Sequence, residues 1–275
     1  MRQNLSEIAL NKSSLIMIFG SPKTGKTTSS ASLANLLIKK LSIEGTIWYF
    51  DFDGGDAIQP FIRHLDPEVA QRVIRYFYAP KGGDKVGATE FRPRGQGRDI
   101  FLDFLSDFNR VYDLIDQDTG RWKTKKEHEA PCLIIYDSMT SLQDIILDFV
   151  LCMVGHDLGA PKTDSRSDYG KQMSKIVEIV ESAKSVPCSH VFIAHEKVTQ
   201  NELTSELRID PDFTGKLAAE ISAYFGTVLY SKTRKNGQKI DYLWQTMSDG
   251  WIKSVGARPK DNLPLEMPQD FELLL

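Results

Sequence analysis

The residues best suited to joint chemistry begin with Gly20-Ser21-Pro22-Lys23-Thr24-Gly25-Lys26-Thr27, a Gly-x-x-x-x-Gly-Lys-Thr run. That spacing is the signature of a loop that binds phosphate. Backbone N–H groups of the turn would cradle phosphate oxygens, Lys26 would reach the β and γ oxygens of a nucleotide, and the Thr27 hydroxyl would ligate Mg²⁺. Thr28 leads into helical spacing, so the positive end of a helix dipole would face the same anion. The expected ligands are therefore ATP and Mg²⁺, bound by Gly20, Ser21, Pro22, Lys23, Thr24, Gly25, Lys26, Thr27 and Thr28. Lys23 is an extra cation in the loop, expected to face solvent.

Hydrolysis also needs carboxylates, and two apolar runs end in them. Thr46 to Phe50 reads as a buried strand ending at Asp51-Phe52-Asp53, where open α/β sheets bind their ligands. Asp53 is the preferred water-polarising base, with Asp51 behind it; the competing reading is that these acids cap a helix or start a turn. Cys132 to Tyr136 is a second buried run, ending at Asp137-Ser138. Asp137 would hold Mg²⁺, directly or through water, opposite Thr27, while Ser138 is expected to cap the helix that starts near Ser141. A third run, Ser189 to Ala194, ends at His195-Glu196-Lys197. His195 is placed to touch a γ-phosphate and report it to the following loop, against the alternative of a histidine with a purely structural partner.

The elements that position these groups follow from periodicity. Leu15 to Phe19 is a strand feeding the phosphate loop, and Thr28 to Ile38 a helix leaving it. Residues 56–75 read as helical with a break at Asp66-Pro67, and Arg75 to Pro80 as a short strand. Lys81, Lys85, Arg92, Arg94 and Arg98 form a basic loop, either a nucleic-acid contact or a solvated insertion. Ile100 to Ile115 is a core-facing helix, Asp118 to Glu129 an exposed connector, and Lys171 to Ala183 a helix after a break at Gly155 to Gly170. Thr199 to Asp212 is expected to be a mobile polar segment. Val228 to Arg234 and Lys239 to Thr246 form a hairpin, Ser248-Asp249-Gly250 turns into a further strand at Trp251 to Val255, and the tail from Arg258, with Pro259, Pro264 and Pro268, lies extended on the surface. The expected architecture is one α/β domain over 1–275: a mainly parallel sheet flanked by helices over about 13–230, then an antiparallel meander and tail over about 228–275.

Composition excludes some functions. With 41% hydrophobic and 26% charged residues, the chain has ordinary globular proportions, and its net charge of −3 gives no global signal for nucleic acid. Three scattered cysteines form no C-x-x-C pair, against zinc or a disulfide framework. Apolar stretches are too short for a signal peptide or membrane span, so a cytoplasmic location is expected.

With these residues placed, the chain resembles RecA-like P-loop ATPases, and among them phage-encoded proteins of the single-strand annealing and recombination type. The resemblance is carried by Gly20 to Thr27, Asp51-Phe52-Asp53, Tyr136-Asp137-Ser138, Asp168-Tyr169-Gly170, Phe192 to Glu196 and Phe213-Thr214-Gly215-Lys216. It departs in two places: the RecA acid after the second strand is glutamate where this chain has Asp53, and the phosphate-sensing glutamine is replaced by His195. The resemblance implies a RecA-like core, a DNA-stimulated ATPase, single-stranded DNA as partner, contact loops at 155–170 and 197–212, a homo-oligomeric ring or filament and a single-strand-binding protein as a further partner. It also implies the cytoplasm of a bacterial host. Lys232-Thr233-Arg234 is similar to the Lys-x-Arg of hexameric replicative helicases, which implies a cation reaching a neighbour's site, with Arg258 a second candidate. Three functions stay open: recombination or annealing, a ring translocase or helicase-like motor, and an ATP-gated DNA-binding module.

Overall fold

A computed structural model describes residues 14–78, 96–123, 126, 128–153, 167–200, 205–257 and 263–274. Most of the expected basic loop, the first expected DNA-contacting loop through residue 166, residues 201–204 and Arg258 lie outside them. The strands in chain order are β1 (Leu15–Phe19), β2 (Thr46–Asp51), β3 (Val73–Phe77), β4 (Pro131–Asp137), β5 (Ser189–Ala194), β6 (Glu196–Gln200), β7 (Leu207–Pro211), β8 (Thr227–Asn236), β9 (Lys239–Gln245), β10 (Gly256–Ala257) and β11 (Glu266–Pro268). The longer helices are α1 (Lys26–Asn35), α2 (Gln96–Asp113), α3 (Met139–Met153) and α4 (Ser167–Ala183). The main sheet runs β11-β9-β8-β1-β5-β4-β2-β3, with β10 paired to β8, while β6 and β7 pair separately. From β8 to β3 all pairings are parallel; β8-β9, β9-β11 and β8-β10 are antiparallel.

The central strands are apolar throughout because each is covered on both faces. In β1, Leu15, Met17 and Phe19 enter one core cluster and Ile16 and Ile18 the other. In β4, Ile134 and Tyr136 face the first cluster, Leu133 and Ile135 the second. Helices α2, α3 and α4 cover the first face, through Phe101, Phe104 and Phe108, then Ile145 and Ile146, then Ile176 and Val180. These positions recur at helical spacing, as the sequence predicts for α2. The second face is covered by α1, whose small Ser29, Ser30, Ala31 and Ala34 let it lie close to the sheet, and by the C-terminal Phe271 and Leu274.

Three expectations are corrected. The described part of 199–212 is not irregular: β6 and β7 pair antiparallel from Glu196↔Pro211 to Gln200↔Leu207, with Val198 opposite Ile209, while residues 201–204 lie outside the described residues. Trp251 to Val255 does not extend the meander, because Asp249 Oδ1 accepts from the backbone N–H groups of both Trp251 and Ile252 and turns the chain tightly. The third antiparallel strand is instead β11, on β9. The tail is not simply laid on the surface: Met267, Phe271 and Leu274 are buried, with Phe271 edge-on to Trp244 at 4.7 Å. Smaller shifts place β3 at 73–77 rather than 75–80 and start α4 at Ser167.

Candidate active site

Strand register brings the candidate groups level. Phe19 pairs with Ala194, Asp137 with Ile193, and Asp51 with Asp137, so the residues that follow β1, β5, β4 and β2 emerge side by side at one end of the sheet. Because β5 lies between β1 and β4, His195 and Glu196 fall between the Gly20 loop and Asp137.

The loop from Gly20 to Gly25 is tightly folded. Lys23 and Gly25 have left-handed backbone at φ 64° and 90°, a conformation that costs glycine least. Thr24 Oγ1 donates to Ser21 O at 2.8 Å, and the largely buried Lys26 Nζ donates to Gly20 O and Ser21 O at 2.8 and 2.7 Å. Burial lowers the Lys26 pKa, while Asp137, Glu196 and Asp53 act to raise it. Pro22 and Lys23 are exposed, and Thr28 is half-buried in the first turn of α1.

Thr27 Oγ1 donates to Asp137 Oδ2 at 2.7 Å, and the Tyr49 hydroxyl donates to the same oxygen. Burial and then the Asp53 charge push the Asp137 carboxyl up to about 6, despite these two hydrogen bonds. Hard oxygen donors on Thr27 and Asp137 fit Mg²⁺, which takes few protein ligands and completes its shell with water and phosphate. A cation there would also favour the charged form of Asp137.

The two acids after β2 have different surroundings. Asp51 is fully buried, ion-paired with Arg75 and accepting from Gly54 N–H at 2.8 Å. That is the turn-forming alternative read from sequence. Asp53 is exposed, and its Oδ1 accepts from Ser138 Oγ at 2.7 Å and Ser141 Oγ at 2.5 Å. Ser138 Oγ also accepts from Ser141 N–H, so it caps α3 and orients Asp53 together.

His195 is half-buried, and its backbone N–H donates to Thr140 Oγ1 at 3.0 Å. Burial, then the Lys26 charge, lowers its imidazole pKa, which favours the neutral ring; Asp53 and Asp212 pull the other way. The next residue was not singled out from sequence. Ser21 Oγ donates to Glu196 Oε1, which ties β6 to the phosphate loop. Glu196 Oε2 is buried without a hydrogen-bond partner among the described residues, and burial plus contact with Glu196 push the Tyr230 phenol up. The available signal is an acid two positions past the end of β5, directly after His195.

Lys232 and Arg234 are not brought to the chain's own phosphate loop. Lys232 Nζ pairs with Glu266 at 2.6 Å and Gln245 Oε1 at 3.0 Å, and Arg234 also pairs with Glu266. A role in a neighbour's site would have to draw them from that carboxylate.

A mainly parallel sheet with a Gly-Lys-Thr loop after one strand and an acid after another, with one strand between them, defines a P-loop ATPase. The chain belongs to the AAA domain family, whose model matches residues 12–251. No curated protein matches the sequence. Among the described residues, no helix is long and apolar enough to cross a membrane.

Proposed function

We propose that this AAA-domain ATPase is a RecA-like protein that hydrolyses Mg-ATP while acting on single-stranded DNA in recombination or annealing. The observation that carries the coupling is Glu196: it touches Ser21 of the phosphate loop and is the first residue of the β6–β7 hairpin. A γ-phosphate beside Ser21 would repel that carboxylate, so nucleotide state is transmitted to the hairpin at its first residue. The DNA partner rests on the resemblance in the sequence, which assigns a contact surface to residues 197–212.

In this mechanism Lys26 and the backbone N–H groups of the loop hold the phosphates. Thr27 and Asp137 would hold Mg²⁺, which when bound would supply neutralisation of the charge developing on the phosphates. Asp53, fixed by Ser138 and Ser141, orients a water and accepts its proton as the water oxygen bonds the γ-phosphorus. The bond to the bridging oxygen breaks, giving ADP and phosphate. His195, as a neutral imidazole, can donate a hydrogen bond to the γ-phosphate.

The test is steady-state ATPase activity with and without single-stranded DNA at one stated salt, with annealing of complementary oligonucleotides alongside. DNA should raise the rate, and the protein should speed annealing. No effect of DNA overturns the proposal, strand displacement on a forked duplex favours the motor, and annealing that survives Lys26→Ala favours the ATP-gated binding module.

A further inference from the structure

The C-terminal segment enters the nucleotide site from behind, and the contact is specific. Gln269 follows β11 and places Nε2 2.8 Å from Thr24 O, 3.1 Å from Leu243 O and 2.6 Å from Ser231 Oγ. Two of these neighbours are carbonyl oxygens, which only accept, so the NH₂ end of the amide must face them. Ser231 Oγ donates to the same Thr24 O at 2.8 Å. A Cβ on Gly25 would run into Gln269 Oε1 and lie against the Tyr242 ring, so the glycine makes room for this approach.

A trans peptide points its C=O and N–H in opposite directions. Two donors behind the loop fix the Thr24 carbonyl, and the Gly25 N–H of the same peptide is thereby turned the other way, toward the phosphate side. Gly20 O and Ser21 O are held by Lys26, and Ser21 O also by Thr24, but the Thr24 carbonyl depends on side chains from the antiparallel edge. We infer that Gln269 is a positioning residue for nucleotide binding, which with Ser231 aims the Gly25 amide at the phosphates. The segment that carries it lies beyond residues 12–251 matched by the family. It is anchored independently: Phe271 N–H donates to Ser32 Oγ of α1, and Glu272 pairs with Lys40.

The inference rests on the nucleotide-site reading, and the experiment separates the two. ADP affinity of the full chain is measured calorimetrically for the parent, Gln269→Met and Glu272→Ala, with thermal unfolding in the absence of nucleotide. Gln269→Met keeps the length of the side chain and removes the donor, so ADP binding should weaken roughly tenfold. The KM for ATP should rise in step, and the Gly25 amide resonance should shift. Glu272→Ala removes an anchor of the same segment without touching the loop and should bind ADP within about twofold of the parent. Unchanged ADP affinity in Gln269→Met, or an equal loss in Glu272→Ala, overturns the inference. A loss explained by a smaller folded fraction also overturns it. A parent that binds no ADP overturns the nucleotide-site reading itself, and the positioning role with it.

Discussion

In the parallel half of the sheet, β1, β2, β4 and β5 present the candidate site groups directly from their C-terminal ends: the phosphate loop, Asp53, Asp137 and His195-Glu196. In the antiparallel edge, β8, β9 and β11 deliver support from behind: Ser231 and Gln269 on the Thr24 carbonyl, and Glu266 holding Lys232 and Arg234. The difference follows from topology. Parallel strands joined by crossovers all end on the same side, so their ends converge on one ligand. Antiparallel strands alternate in direction, and what they offer the site is side chains along their length.

The largest expected effect tests whether that edge is structural. Phe271 is fully buried against Trp244, so Phe271→Ala should cost about 3–5 kcal/mol in urea unfolding. A cost near zero would mean the C-terminal segment is not part of the core. Next, Lys26→Ala removes the chief cation of the parallel half and should lower ATPase kcat/KM by about 10²–10³-fold with the fold intact by circular dichroism. Activity near that of the parent would deny the loop its role.

Asp137 gives a pH signature. Its carboxyl is held at about 6 against an ordinary 3.8, so the folded state binds that proton more tightly than the unfolded chain. Stability of the cation-free protein therefore falls as pH rises through that interval, by at most about 3 kcal/mol. Asp137→Asn should remove this term, gaining about 1–3 kcal/mol relative to the parent between about pH 5 and pH 8 in the presence of EDTA. Mg²⁺ should then stabilise the parent and leave the variant unchanged; a variant that responds to Mg²⁺ as the parent does would move the metal site elsewhere. The smallest effect is at Glu266, where Glu266→Gln should change stability by no more than about 1 kcal/mol. If Arg234 or Lys232 acts on a neighbour, the same variant should raise the ATPase rate as protein concentration rises; a rate independent of concentration counts against a role in trans.

Much of the parallel half is legible in sequence because burial on both faces demands unbroken apolar runs, and Ser189–Ala194 is placed to the residue. The acids are legible because they interrupt those runs at their ends. Which acid meets solvent and which is consumed by Arg75 is not, since Arg75 reaches Asp51 only once β3 lies beside β2. The β6–β7 hairpin is hidden by exposed polar residues at nearly every position of β6, and β11 by its three-residue length and Pro268. Gln269 carries no local signal: its neighbours Thr24, Ser231 and Leu243 come from distant parts of the chain.

The division of labour is tested most directly by kcat and nucleotide affinity of Asp53→Asn measured together. Asp53 touches no part of the loop by hydrogen bond among the described residues and is oriented only by Ser138 and Ser141. Its loss should lower kcat by about 10²-fold or more while ADP and ATP affinities stay within about twofold. Retention of kcat, or a loss of affinity that accounts for the whole effect, would contradict the assignment of hydrolysis to this strand end.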